Sequence, residues 1–202
     1  MLTAPGGKGG FQRTMKVLAI EGSPRQGGNS SLLLRWVTEG ISDVGGKVTR
    51  YSVRNLYIEP CIGCGKCNAT GVCVFEDDMS PILEAVAGCD HLVISTPVYF
   101  YHVPAQLKAF IDRLQPLWAM ETLLKKPWRR KRGGLLLLAT GATKGERLFE
   151  GILLTMRCVS SLLGMTMMEP ILIKGVDAPG AIKGVERIKE MAQEKGKELV
   201  YF

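Results

Sequence analysis

From Lys16 to the end of the chain, short apolar runs alternate with stretches of helical spacing, and this alternation limits the fold more than any other feature. KVLAIEGS, Lys16 to Ser23, has strand length and stops in a turn rich in Gly, Ser and Pro. NSSLLLRWVTEGISDVG follows with helical periodicity and stops at Gly45 and Gly46, as helices commonly do. KVTRYSV is a second strand. A helix is expected from about Asp78 through Ala87, with Asp78 or Ser80 as cap and Pro81 in its first turn. HLVISTP is a third strand and PAQLKAFIDRL a third helix. GGLLLLATG, apolar on both faces, suits the middle of a covered sheet. A long helix over Gly145 to Leu163, a fifth strand in EPILIKGV and a last helix to about Lys197 complete the pattern. Five strands alternating with five helices predict an α/β doubly wound parallel sheet. There is no internal repeat or linker, so one domain is expected over 15–202, preceded by a flexible tail over 1–14. Residues 116–132 form a longer connection than such folds need. With Leu117, Trp118 and Met120 it reads as a cover for a ligand or subunit interface, or as a surface insertion.

Composition narrows the class. With 46% hydrophobic and 22% charged residues the chain is globular rather than disordered. No apolar run approaches membrane-spanning length, and MLTAPGGKGGFQRT lacks the apolar centre of a signal peptide. A cytoplasmic protein with reduced thiols and no membrane partner is expected. The net charge of +7 is concentrated in KKPWRRKR, Lys125 to Arg132. That stretch reads as a solvated loop, or as a dock for an acidic partner, and nucleic acid is not expected.

The first strand ends in EGSPRQGGNSS. Ser23, Ser30 and Ser31, with Asn29 and Arg25, surround the start of a helix, where free N–H groups and the helix dipole favour a phosphate. Gly27 and Gly28 allow close backbone approach. The Lys of a Walker loop is missing, and the spacing does not fit a dinucleotide fingerprint. A hydroxyl-rich loop with one Arg suits a terminal monophosphate, as in FMN; a plain helix-capping turn is the alternative. The third strand places Pro97, Val98, Tyr99, Phe100, Tyr101 and His102 at the same sheet edge, where aromatics can stack on a flat ring or simply pack. Thr140, Gly141 and Ala142 end the fourth strand at that edge. Lys108 and Asp112 read as a helix surface pair.

CIGCGKCNATGVC holds Cys61, Cys64, Cys67 and Cys73 as C-x2-C-x2-C-x5-C. Taken in order, GSPRQGGNSS, CIGCGKCNATGVCVFEDDM and TPVYFYHVPAQLKAFIDR resemble the iron–sulfur flavoprotein family of the NADPH-dependent FMN reductase group, over about Met15 to Val176. The resemblance implies a flavodoxin-like fold of strand order 2-1-3-4-5 with FMN at the strand edge. It implies that Ser23, Arg25, Asn29, Ser30 and Ser31 take the phosphate, that Pro97, Val98, Tyr99 and Phe100 take the ring, and that the protein forms dimers or tetramers. It also implies a 4Fe–4S cluster on Cys61, Cys64, Cys67 and Cys73, in a cysteine loop over 59–78.

The chemistry agrees, since two-residue gaps wrap one face of a cubane and NATG lets Cys73 fold back to the fourth iron. Gly63, Gly65 and Gly71 ease the turns. Four-cysteine zinc sites more often use two separated knuckles. Zinc and empty thiols remain the alternatives, and Cys89 and Cys158 read as buried packing residues.

The expected function is an FMN-dependent oxidoreductase. Electrons would come from a ferredoxin-like one-electron donor through the cluster to FMN and on to an unnamed acceptor. An NAD(P)H-dependent FMN or quinone reductase without a cluster is the second reading, and a zinc-loop binding module is the third. No acid–base catalyst is required; His102 lies beside the ring loop and His91 reads as structural.

Overall fold

The computed structural model describes residues 13–128 and 133–202. The tail expected over 1–14 and the basic stretch therefore fall mainly outside the described residues. Of the tail, Arg13 is described, paired with Asp90.

Parallel strands β1 (Lys16–Glu21), β2 (Lys47–Ser52), β3 (His91–Pro97) and β4 (Gly134–Gly141) stand in the order β2-β1-β3-β4. The fifth position, beside β4, is divided between β5 (Thr166–Met167) and β6 (Ile171–Lys174). The order 2-1-3-4-5 thus holds, with six strands instead of five among the described residues. Pro170 falls in the gap, and a residue without an N–H cannot continue a ladder there.

Neighbouring residues of each strand feed opposite layers. Leu18, Ile20, Leu92, Ile94, Leu135 and Leu137 join the core on one face. Val17, Ala19, Val93, Leu136 and Leu138 join the other, under α1 (Asn29–Asp43) and α7 (Ile188–Tyr201). The two helices touch through glycines: a Cβ on Gly40 would stand 2.0 Å from the Gln193 carbonyl oxygen, and one on Gly196 2.1 Å from that of Val37. On the first face lie α3 (Met79–Gly88), α4 (Ala105–Asp112) and α6 (Glu150–Leu162). No helix of the described residues is long and apolar enough to cross a membrane.

Several elements differ from the sequence reading. α6 begins at Glu150 rather than Gly145, because the carbonyls of Thr143 and Glu146 accept from the Gly175 N–H and from Lys174 Nζ instead of starting a helix. The connection after α4 contains a helix, α5 (Gln115–Thr122), separated from α4 near Pro116, which has no N–H to continue it. The cysteine loop carries its own short helix, α2 (Lys66–Thr70). Cys89 is buried as expected, whereas Cys158 is exposed on α6. Lys108 and Asp112 do pair, at 2.7 Å.

Candidate functional site

Because β1, β3, β4 and β6 run parallel, the loops after them leave one edge of the sheet, and they meet at a single cleft. Ser23, Arg25, Gly28, Asn29 and Ser30 line it from the first loop. Pro97, Val98 and Tyr99 line it from the third, and Thr140 with Ala142 from the fourth. Val176, Asp177 and Pro179, after β6, form a wall the sequence reading missed, since nothing in VDAP signals a site. α1 starts there with Gly28 as its cap residue and no side-chain cap bond, so its first N–H groups are left for an anion. Ser23 and Ser30 are buried, and the Arg25 N–H donates to Ser23 Oγ at 3.1 Å, which fixes the turn.

Three expected residues stand differently. The Asn29 side chain is engaged by the far wall: its Nδ2 donates to the Ala178 carbonyl at 3.0 Å and its Oδ1 accepts from the Ile182 N–H at 3.2 Å. Its amide therefore clasps two loops, and its backbone N–H is what remains for a ligand. Ser31 is absent from the cleft lining, and its buried Oγ has no hydrogen-bond partner among the described residues. Burial pushes the Glu21 carboxyl up, but its neighbours, Arg50 and Arg54 among them, more than reverse this and hold it below its ordinary value. Gly141 also lies off the lining; a Cβ there would stand 2.6 Å from Leu148 Cδ2, so its bareness serves packing.

Beyond the cleft wall the chain makes a tight hairpin. The Tyr99 N–H donates to the His102 carbonyl at 2.8 Å and the His102 N–H to the Tyr99 carbonyl at 2.9 Å. Phe100 and Tyr101, between them, have φ of 49° and 62°. Such left-handed geometry costs a non-glycine residue roughly 1–2 kcal/mol. Both side chains are nonetheless exposed, Phe100 completely.

The four clustered cysteines line one cavity of ≈ 260 Å³ with Phe75, Arg113, Gln115 and Pro116. It shares no lining residue with the cleft. Gly63, Gly65 and Gly71 turn the chain around it with φ of 65°, 73° and 75°. Gly71 does more, since the Met120 side chain of α5 sits 2.9 Å from where its Cβ would be. α5 therefore backs the cysteine loop. All four thiols are free, and Cys61 and Cys64 are exposed. Burial pushes the Cys67 thiol up, and the neighbouring Cys73, Cys61 and Cys64 push it further the same way. As thiolates, four cysteines around one hollow would repel one another, so a cationic centre is what would gather them in that form. Among the described residues no group of three or more His, Cys, Asp or Glu is set to hold a metal ion. A single zinc ion needs four ligands converging on one point. A cluster spreads its ligands over separate irons, and an all-thiolate ring around a cavity is a donor set that suits it.

The floor of this loop is an ion pair that the sequence reading passed over. Arg113, fully buried, reaches Asp77 through Nη1 at 2.6 Å and Nη2 at 2.9 Å, and its Nη1 also donates to the Glu59 carbonyl at 2.7 Å. Asp77 further accepts from the N–H groups of Glu59 at 2.9 Å and Met79 at 3.0 Å. Asp77, rather than Asp78 or Ser80, thus bonds the first turn of α3, while Asp78 accepts from the Tyr57 N–H. Burial pushes the Asp77 carboxyl up; Arg113 and the two amides outweigh it and hold it below its ordinary value.

Known proteins resemble this chain in sequence and in fold. An iron–sulfur flavoprotein of Archaeoglobus fulgidus is 36% identical over 132 residues, 65% of this chain and 58% of that protein. One of Methanocaldococcus jannaschii is 36% identical over 132 residues, 65% of this chain and 66% of its own length. The match thus spans about 58–66% of these two relatives. Among solved structures, an NAD(P)H:quinone oxidoreductase from Methanothermobacter marburgensis superposes with a TM-score of 0.67 at 18% identity, over 92% of this chain and 97% of the other, a likeness of fold. The family NADPH-dependent FMN reductase matches residues 15–173, which takes in the cysteine loop and the cleft apart from its wall at Val176, Asp177 and Pro179, and the chain belongs to that family.

Proposed function

We propose that the protein is an FMN-dependent oxidoreductase in which Cys61, Cys64, Cys67 and Cys73 hold a 4Fe–4S cluster that exchanges electrons with FMN at the cleft. The gathering of four free thiols around one cavity, in a chain of an FMN reductase family, carries this reading. The relatives named as iron–sulfur flavoproteins support it.

FMN supplies one- and two-electron exchange and a cluster supplies single electrons, so the pair joins one-electron donors to two-electron chemistry. The protein's part is placement. The Ser23 and Ser30 hydroxyls and the first N–H groups of α1 hold the phosphate, with Arg25 adding charge at the exposed side. The enclosed cleft, ≈ 120 Å³, is a fraction of the roughly 300–1,000 Å³ of whole ligand pockets. It houses one end of the cofactor, and the ring extends along Pro97 to Phe100. Asp77 and Arg113 hold the cysteine loop at its root. The donor is a ferredoxin-like carrier or NAD(P)H, and the working unit is a homo-oligomer.

The test is anaerobic purification with iron, acid-labile sulfide and flavin measured on one sample. About four irons and four sulfides per chain beside FMN are expected, with the iron lost in Cys73→Ser. Flavin without iron or sulfide refutes the cluster and leaves a plain NAD(P)H-dependent reductase. No flavin refutes the whole reading.

A further inference from the structure

Two adjacent exposed aromatics in left-handed backbone need a restraint from outside, because nothing in Phe or Tyr favours that geometry. α6 supplies it at two points. The Tyr101 carbonyl lies against Gly151: a Cβ there would stand 2.7 Å from that oxygen and 3.5 Å from the His102 ring, so a glycine alone leaves room. One turn along the same helix face, Thr155 Oγ1 lies 2.9 Å from His102 Nε2. The single hydroxyl proton of Thr155 goes to the Gly151 carbonyl, at 3.0 Å. The Thr155 hydroxyl and His102 Nε2 thus share one hydrogen bond beside the Gly151 carbonyl.

We propose that Gly151 and Thr155 are positioning residues that clamp the 99–102 hairpin, through the Tyr101 carbonyl and the His102 imidazole, in the shape that presents its aromatic tip to a flat ring bound at the cleft. This rests on the function proposed above in taking that ring to be the flavin. Neither residue lines the cleft, so both act through the hairpin, whose first residue, Tyr99, does line it.

Thr155→Val removes the hydroxyl at nearly constant volume, Thr155→Ser keeps it, and Gly151→Ala inserts the excluded methyl. In cofactor-free protein, chymotrypsin cleavage after Tyr99, Phe100 or Tyr101 reads release of the hairpin, since a protease acts on locally opened chain. Cleavage about fivefold faster is expected in T155V and G151A, with T155S close to wild type. FMN affinity falls about tenfold in the same two variants and stays near wild type in T155S. Should G151A fail to fold, the T155V and T155S pair decides. Unchanged cleavage in T155V overturns the clamp, whatever the flavin affinity; faster cleavage with unchanged FMN affinity overturns its role toward the ring. A wild-type protein that binds no FMN sinks the proposed function, and the role toward the ring with it, while the cleavage rates still judge the clamp.

Discussion

Replacing Asp77 by Ala tests whether the cysteine loop is rooted in the Arg113 ion pair. Asp77 takes two bonds from Arg113, one from the Glu59 N–H and one from the Met79 N–H. The side chains are 3% and 1% exposed, so removing the carboxylate leaves a buried cation without its charged partner. Breaking a buried pair in this way costs about 3–5 kcal/mol, and the lost bond to the start of α3 adds about 1 kcal/mol. A total of about 4–6 kcal/mol is a large share of the 5–15 kcal/mol that holds a typical domain together. Asp77→Asn keeps one oxygen that can accept from both the Met79 N–H and Arg113 Nη2 and loses the bonds to the Glu59 N–H and Arg113 Nη1, so its cost is smaller than that of Asp77→Ala, about 2–3 kcal/mol. The double variant Asp77→Leu, Arg113→Met removes both charges and returns towards wild type, because an apolar pair carries no desolvation penalty. Urea unfolding of cofactor-free protein at pH 7, followed by far-ultraviolet circular dichroism at constant slope, measures all three. A D77A loss below about 1 kcal/mol, or a double variant no better than D77A, refutes the reasoning.

The pH dependence has a definite sign. Asp77 and Glu21 are both held below the ordinary carboxylate value, so the stability they contribute is complete above about pH 4 and is lost as pH falls through their lower folded values. Asp77→Asn should therefore flatten the acid limb of melting temperature against pH between about 2 and 5, and an unchanged limb would count against the pair. Gly40→Ala should lower stability by about 1–3 kcal/mol in thermal melts despite alanine's better helix propensity, because the new methyl meets the Gln193 carbonyl of α7; a stabilised variant would contradict that contact. Ser30→Ala should weaken FMN binding by about tenfold, read by fluorescence titration, while Ser31→Ala, off the cleft lining, leaves it near wild type; the reverse order would refute the proposed cradle.

The sequence by itself determined the layers and the covered parallel sheet, while the strand order followed from the family resemblance. Runs such as KVLAIE and GLLLLATG bury side chains on both faces, and only a covered parallel sheet satisfies both. The loop after β1 and the four cysteines were legible for a related reason: Gly, Ser and Cys at short spacing act locally, and their meaning survives without knowledge of distant partners. Tertiary structure decided what depends on who sits opposite. Asn29 and Ser31 read as phosphate ligands beside Ser30, yet the Asn29 amide reaches Ala178 and Ser31 lies off the cleft lining. Arg113 ended a helix motif and gave no sign that it would be buried against Asp77, 36 residues away. The wall at Val176 to Pro179, the helix face of Gly151 and Thr155, and the exposure of Cys158 were likewise invisible. Periodicity tells a residue which face it joins; which partner waits on that face is set by long-range packing, where sequence separation carries no signal.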